Sequence, residues 1–350
     1  MRSFPPQKVF IVAEISANHG QSLNRALQLI HLAKKCGVDA VKFQAYTPDT
    51  LTLKADNKYF RIRHPKWGGQ TLYELYQQAY TPWSWFKKLK REAENHDLAF
   101  FSTAFDRSSV DFLDDLGVFC HKIASFELVD LPLIAYAART KKPLILSTGM
   151  ASFQEIKEAV ATAKHGGARS ITLLKCVSGY PANASDMNLR TLADLRQKTK
   201  LPIGLSDHSL GIAVAVASVA LGACFIEKHF TLSRKIKTPD SFFSLEPHEL
   251  KDLVVAVRQA EQALGSVRYG PTQDEKRFCH FRRSLFVVRD IKKGELFTEQ
   301  NIASIRPASG LKPKYLGKVL GKRAHLDLKA GTPLRPSLIE CGLRIENSHE

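Results

Sequence analysis

Eight times between residues 9 and 264, a short apolar segment is followed by a stretch with helical periodicity. Strands that return through a helix each time run parallel, and parallel strands need both faces covered. The candidate strands are residues 9–14, 40–44, 99–102, 119–123, 144–147, 171–176, 202–206 and 224–230. The helical patterns are 23–36, 83–96, 110–116, 131–140, 153–165, 189–198, 212–221 and 247–264. Eight even units in about 255 residues predict an α/β chain closed into a (β/α)8 TIM barrel. A doubly wound sheet shares the alternation, but eight even units favour closure. No Gly-rich dinucleotide or phosphate-loop fingerprint follows any strand.

The barrel domain is placed at residues 1–264. Its second connection, 45–81, is long and carries "YTPDTLTL", "RHPKWGG" and "LYELY" before a helix that begins at Pro82. Long ordered loops on barrels commonly act as lids or substrate walls; the plain alternative is an insertion packed outside the barrel. Residues 265–283 are polar, charged and broken by Gly and Pro, as in a linker. Residues 284–350 hold short β-like runs, a Lys-Gly turn, a helix start at "TEQN" (298–301) and a short C-terminal tail. They predict a small β-rich domain. About 60 residues is small for an independent core, so docking on a partner surface is expected.

In a barrel, chemistry sits at the C-terminal strand ends, and here all eight are polar. The first ends at Glu14, followed by Asn18 and His19; the second carries Lys42 and Gln44. The third leads into Ser102 and Thr103, the fourth carries Lys122 with Ser125 and Glu127 beyond it, and the fifth ends in Ser147 and Thr148. The sixth gives Lys175, Ser178 and Tyr180, the seventh Ser206 and His208, the eighth Glu227 and His229. Strand alternation puts Ser206 and His208 on one side of their strand, and Glu227 and His229 on one side of theirs. Two imidazoles at consecutive strand ends point to a shared divalent metal; two unrelated histidines held by backbone partners are the plain alternative. Lys42 and Lys122, with hydroxyls from Thr103, Ser125, Ser147 and Ser206, suit a phosphate or carboxylate. Glu14, Glu127 and Glu227 are acid/base candidates. Two histidines leave most coordination positions open, and an open metal polarises a carbonyl oxygen. An anion cradle beside such a metal points to condensation of a phosphorylated donor with an aldehyde. An aldolase or a metal-dependent phosphohydrolase fits the same residues nearly as well.

Charge bears on partners. The chain carries 51 Lys/Arg against 34 Asp/Glu, a net +17, and residues 276–344 alone hold sixteen Lys/Arg against five Asp/Glu. A basic tail raises nucleic acid as a partner, but no recognition motif or aromatic-interleaved basic stripe accompanies it. Steering of an anionic substrate or a solvated surface explains the charge, and no nucleic-acid partner is expected. No run of about 18 apolar residues occurs, and "MRSFPPQKVF" lacks the apolar stretch of a signal peptide. No membrane partner is expected, and a cytoplasmic location is. Six scattered cysteines with no C-x-x-C pair read as reduced thiols.

The stretches "IVAEISANHG", "GVDAVKFQAYTPDTLTL", "HKIASFE", "LSTGMAS", "KCVSGYP", "GLSDHSLG" and "IEKHFTL" occur in this order. Together they resemble the nonulosonic (sialic-type) acid synthases, over nearly the whole chain, and the basic C-terminal domain resembles that family's antifreeze-protein-like (SAF) domain. Within the family, "EISANH", "LYELYQQAYTPW" and "KCVSGYP" are most similar to the pseudaminic acid branch; the N-acetylneuraminate branch has Asn where this chain has Ser178. The resemblance implies a metal-dependent condensation of phosphoenolpyruvate with an N-acetylated hexose in its open-chain aldehyde form. For the pseudaminic branch the acceptor is 2,4-diacetamido-2,4,6-trideoxy-altrose, and phosphate leaves by C–O cleavage. N-acetylneuraminate or legionaminate synthesis is the alternative within the same chemistry. The resemblance also implies site roles. His208 and His229 match the ligands of a divalent metal, Mn2+ with Mg2+ or Co2+ as alternatives. Lys42, Thr103, Lys122, Ser125, Ser147 and Ser206 match phosphoenolpyruvate-binding positions. Glu14, Gln44, Tyr180 and Asp240 match sugar-side or catalytic positions, and Glu14 or Glu127 is the base that activates water. Arg306, in "IRPASG", matches an arginine delivered to the neighbouring subunit's site in a domain-swapped homodimer.

Overall fold

The computed structural model describes residues 8–343; most of the N-terminal segment read for a leader, and the C-terminal tail, lie outside the described residues. The chain divides into two units, Met1–Gly265 and Ser266–Glu350.

The first unit is a closed barrel of eight parallel strands in sequential order. They are β1 (Phe10–Glu14), β2 (Ala40–Ala45), β3 (Ala99–Ala104), β4 (His121–Ile123), β5 (Leu144–Ser147), β6 (Ile171–Cys176), β7 (Ile203–Asp207) and β8 (Phe225–His229). Closure runs through β1 and β8, from Phe10 opposite Phe225 to Glu14 opposite His229. Around them lie α1 (Leu23–Cys36), α2 (Pro48–Leu51), α3 (Leu72–Ala79), α4 (Phe86–Asn95), α5 (Arg107–Asp115), α6 (Leu131–Ala138), α7 (Phe153–His165), α8 (Thr191–Thr199), α9 (Ala213–Ala220) and α10 (Pro247–Leu264).

Strand alternation builds the site. One row of side chains faces the helices, as Ile11 and Ala13 of β1 do in the main core. The other row fills the barrel. There Phe10, Val12, Ala40, Phe101, Cys120, Ile145, Leu174 and Phe225 form a separate apolar cluster. Two residues further along each inner row the chemistry begins: Glu14, Lys42, Thr103, Lys122, Ser147, Cys176 and Glu227. Apolar side chains therefore plug one end of the barrel and polar ones line the other. Gly204 opens the inner row of β7 because a Cβ there would stand 2.6 Å from the Phe225 Cβ. That row continues through Ser206 toward His208.

Three expectations need correction. Residues 45–81, read as one long ordered loop before the helix at 82, contain two short helices. Pro48 starts α2 behind a Thr47 cap, and Thr71 and Glu74 close a reciprocal capping box on α3. Lys175 belongs to the outward row of β6 and donates to the Cys176 carbonyl at 3.1 Å; the inner residue at that strand end is Cys176. "TEQN" starts no helix. Asn301 Oδ1 accepts from the Thr298 N–H at 2.7 Å, closing a turn that enters a strand.

The second unit pairs β9 (Ser284–Val287) antiparallel with β10 (Ile302–Ile305). It has its own core, including Leu285, Val287, Ile291, Phe297, Ile302 and Leu334. Of the residues read as a linker, 265–283, all but Gly265 group with this unit, and they carry a short helix, α11 (Gln273–Lys276). A further turn of helix, α12 (Leu316–Val319), follows β10.

Candidate active site

Two buried lysines, one on β2 and one on β4, point into the barrel mouth. Lys42 Nζ donates to Thr103 Oγ1 at 2.9 Å and lies 2.7 Å from Glu14 Oε2. Lys122 Nζ donates to Ser147 Oγ at 2.7 Å and to the Ile123 carbonyl at 3.3 Å. Both ammonium groups converge on Glu227 Oε1, at 3.6 and 4.0 Å, which also accepts from Ser206 Oγ at 3.3 Å. Burial works against the Lys42 charge, but Glu14 and Glu227 outweigh it and hold its pKa above the usual value. Burial pulls Lys122 below its usual value despite Glu227. Glu227 itself is held below the carboxylate range: burial opposes ionisation, and Lys122 and Lys42 overcome it. Glu227 thus stays charged between the two lysines and fixes them for an anion.

Beside the cradle, β4 and β5 approach closely. The Gly149 N–H donates to Ser125 Oγ at 3.0 Å. A Cβ at Gly149 would lie 2.5 Å from Ser178 Oγ and 2.7 Å from Ser125 Oγ, so only glycine leaves both hydroxyls at the rim. Ser178 Oγ is buried without a protein partner. Gln44 Nε2 donates to Glu14 Oε1 at 3.0 Å. Burial pushes Glu14 up to about 7, with Lys42 pulling the other way and Glu227 adding to the rise. Burial likewise pushes Glu127 up to about 7, against Lys122. Both carboxyls titrate where a general acid or base operates.

The imidazoles of His208 and His229 lie with ring centroids 5.3 Å apart. His208 Nδ1 sits 2.9 Å from the Val177 carbonyl, which only accepts, so Nδ1 carries a proton and Nε2 is the nitrogen left to meet a ligand. Burial, then the neighbouring His208, Lys42 and Lys228 charges, holds His229 well below its usual pKa and neutral at pH 7. Its Nδ1 is buried without a hydrogen-bond partner, the Asp240 carboxylate being 3.9 Å away. Burial opposes the His208 charge, but Cys176, the Val177 carbonyl and Glu227 outweigh it and raise its pKa, so a cation there would displace a proton from Nε2; with the unpartnered His229 nitrogen beside it, the pair still suits a divalent cation. Among the described residues no set of three His, Cys, Asp or Glu side chains is arranged to hold one. Such a cation would take its remaining ligands from water and substrate.

Asp240 is fixed by Ser16, whose hydroxyl donates to Oδ2, and by the Ala17 N–H at 3.4 Å. Tyr180 lies over His208 with ring centroids 4.4 Å apart. Beyond it the long connection folds back: Trp67 packs on Tyr180 at 5.5 Å and edge-on to Phe242 at 6.0 Å, and its indole N–H donates to the Pro239 carbonyl at 2.7 Å. Phe243 lies beneath His229 at 4.8 Å. The connection 45–81 therefore supplies an aromatic wall to the mouth, as a lid or substrate wall does.

The barrel thus gathers Glu14, Lys42, Gln44, Thr103, Lys122, Ser125, Glu127, Ser147, Ser178, Tyr180, Ser206, His208, His229 and Asp240 at the C-terminal strand ends and their loops. Arg306 belongs to the second unit, where it is exposed just after β10. Two polar residues near β1 hold structure instead. Asn18 Nδ2 donates to the Phe230 carbonyl and Ser244 Oγ, and His19 Nε2 pairs with Thr81 Oγ1 at 3.0 Å. Sequence reading assigned no role to Ser16, Trp67, Phe243 or Cys176. The inner-row register identifies Cys176, but the other three depend on loop paths that no periodicity encodes.

Comparison with known proteins agrees with this geometry. The NeuB family profile matches residues 29–269 and the SAF domain profile residues 282–340. The pseudaminic acid synthase of Helicobacter pylori is 44% identical over 342 residues, 97% of this chain and 99% of that one. The N,N'-diacetyllegionaminic acid synthase of Legionella pneumophila is 38% identical over 339 residues, 95% of each chain. The crystal structure of N-acetylneuraminic acid synthetase from Leptospira borgpetersenii, in complex with citrate, superposes with a TM-score of 0.69 at 36% identity, covering 78% of this chain and 90% of that one. With its inner-row lysines, paired imidazoles and C-terminal SAF domain, the chain belongs to the NeuB family.

Proposed function

We propose that the chain condenses phosphoenolpyruvate with an open-chain 2,4-diacetamido-2,4,6-trideoxy hexose, the altrose isomer, giving pseudaminic acid and phosphate. The observation that carries the reaction is the placing of the Lys42–Lys122 cradle and the His208–His229 pair in one barrel mouth. The choice of acceptor is supported by 44% identity to pseudaminic acid synthases, against 38% to legionaminic acid synthases.

Lys42 and Lys122, with Thr103, Ser147 and Ser206, hold the phosphate and carboxylate of phosphoenolpyruvate. Charge-assisted donors in a buried site bind these groups strongly. A divalent cation on His208 and His229, for which Mn2+ is the first choice and Mg2+ or Co2+ the others, supplies Lewis-acid polarisation of a carbonyl oxygen. C3 of phosphoenolpyruvate attacks the aldehyde carbon, and the new alkoxide gains a proton. Water adds at C2, its proton passing to Glu14 or Glu127, both of which titrate near 7. The resulting hemiketal phosphate expels phosphate by breaking its C–O bond, leaving the 2-keto acid. The second unit and Arg306 are assigned to a homodimer in which Arg306 serves the partner's barrel.

The test is turnover of the 2,4-diacetamido altrose, the legionaminate precursor and N-acetylmannosamine with phosphoenolpyruvate, followed by phosphate release. The altrose should lead in kcat/KM. A lead for either other sugar reassigns the acceptor, and no phosphate with any of them overturns the reaction.

A further inference from the structure

We propose that Asp207 and Lys228 are a positioning pair that sets how the two imidazoles face each other; this rests on the reading of His208 and His229 as ligands of one cation. The two residues are register partners on adjacent strands, with Ser206 opposite Glu227 one step before them. Their side chains are 0% and 1% exposed, and Lys228 Nζ lies 2.7 Å from Asp207 Oδ2. Each sits between two residues of the site: Asp207 between Ser206 and His208, Lys228 between Glu227 and His229. Alternation turns the four site residues into the barrel and this pair away from it. The pair therefore touches no substrate and acts only through the backbone it holds.

It holds that backbone at several points. Lys228 Nζ also donates to the Ser209 carbonyl. Asp207 Oδ1 accepts from the Ser209 N–H at 2.8 Å and the Ser209 hydroxyl at 2.7 Å. The chain on both sides of His208 is thus tied to the residue that precedes His229. The Ala182 N–H adds a bond to the His208 carbonyl at 3.1 Å. A one-residue slip of β8 against β7 would turn Lys228 into the barrel and Glu227 and His229 out of it. The ion pair opposes that slip, because it would strand two buried charges. Replacing a buried pair by uncharged groups of like volume is often neutral for folding, so stability and positioning can be separated.

The test is the Asp207→Asn/Lys228→Met double variant in the full-length protein. The amide keeps an acceptor for Ser209, and no charge is left unpaired. The thermal midpoint should stay near wild type and the KM for phosphoenolpyruvate should not change. Mn2+ affinity, read from the electron paramagnetic resonance of free Mn2+, should fall about tenfold or more. Turnover should fall by about 10- to 100-fold. A folded double variant with wild-type Mn2+ affinity and kcat overturns the proposal. If the double variant does not fold, Asp207→Asn alone decides: weakened Mn2+ binding with intact phosphoenolpyruvate KM supports positioning, and wild-type Mn2+ affinity overturns it. Wild-type protein that binds no Mn2+ overturns the metal reading instead. Positioning is then judged on kcat, where a loss with intact phosphoenolpyruvate KM supports it and no loss overturns it.

Discussion

His208 and His229 present their rings to each other at 61°, the first just past the end of β7 and the second on the last residue of β8. Neither ring is shared with a carboxylate within hydrogen-bond distance, so both remain available to a cation. Activity is expected to vanish after chelation and dialysis and to return with Mn2+, Mg2+ or Co2+. His229→Ala should cost turnover by about 100-fold or more while lowering stability by less than about 2 kcal/mol. Full turnover in protein shown by elemental analysis to be metal-free would refute this.

Lys122→Ala removes one of the two ammonium groups beside Glu227 and frees Ser147 Oγ. A lost charge-assisted contact to phosphate or carboxylate costs about 1.5–3 kcal/mol, or about 10- to 100-fold. The loss should fall on kcat/KM for phosphoenolpyruvate. Kinetics in which only the sugar KM rises would move Lys122 to the acceptor side.

Glu127 couples the site to pH. Its carboxyl rises from an ordinary 4.5 to about 7 on folding, chiefly through burial. Between these values the folded chain holds a proton that the unfolded chain has released, so this group's contribution to stability is full below 4.5 and is lost as pH climbs through about 7. Glu127→Gln cannot lose that proton. Its thermal midpoint should gain on wild type from about pH 5 to about pH 7 and level off above that. Parallel midpoint curves for the two proteins across that range would mean that the carboxyl is not held up by burial.

How much of this was legible in the sequence follows from what periodicity encodes. The inner rows of β2, β4, β7 and β8 are two-residue repeats, so Lys42, Lys122, Ser206 and His229 could be placed from spacing alone. Where a strand ends and a loop begins, spacing loses its hold. Lys175 and Cys176 are neighbours, and choosing the inward one needs the register against β7. The "TLYE" that caps α3 was present as a signal, but it sits inside a stretch rich in loop residues. The contact between Trp67 and the Pro239 carbonyl spans 172 positions, and nothing local announces it.

Trp67 is the test of that long connection. Its indole N–H fixes the carbonyl just before Asp240, and its ring rests on Tyr180. Trp67→Ala should raise the acceptor KM by about tenfold and leave the phosphoenolpyruvate KM unchanged, since Lys42 and Lys122 are untouched. Trp67→Phe keeps a ring but no N–H, and should lie between. An effect on phosphoenolpyruvate alone would take the connection away from the acceptor side.

Arg306 lies on a turn built to face outward. The Ser284 hydroxyl donates to the Pro307 carbonyl at 2.6 Å, the Gly310 N–H donates back to Ser284 Oγ at 2.9 Å, and a Cβ at Gly310 would stand 2.3 Å from the Leu285 carbonyl oxygen. The turn is therefore pinned to β9, while the guanidinium remains exposed. An exposed arginine on a rigid turn suits recognition of a polar or anionic group on another molecule. If that molecule is a second copy of the chain, Arg306→Ala should fold, stay dimeric and turn over poorly. Mixing it with His229→Ala under conditions that exchange subunits should then restore activity. Each heterodimer has one barrel with its own intact His229 and an intact Arg306 from its partner. Random exchange places half of the dimers in that state with one working site of two, so recovery should approach about a quarter of wild type. Verified exchange with no recovery would mean that Arg306 does not act across the dimer.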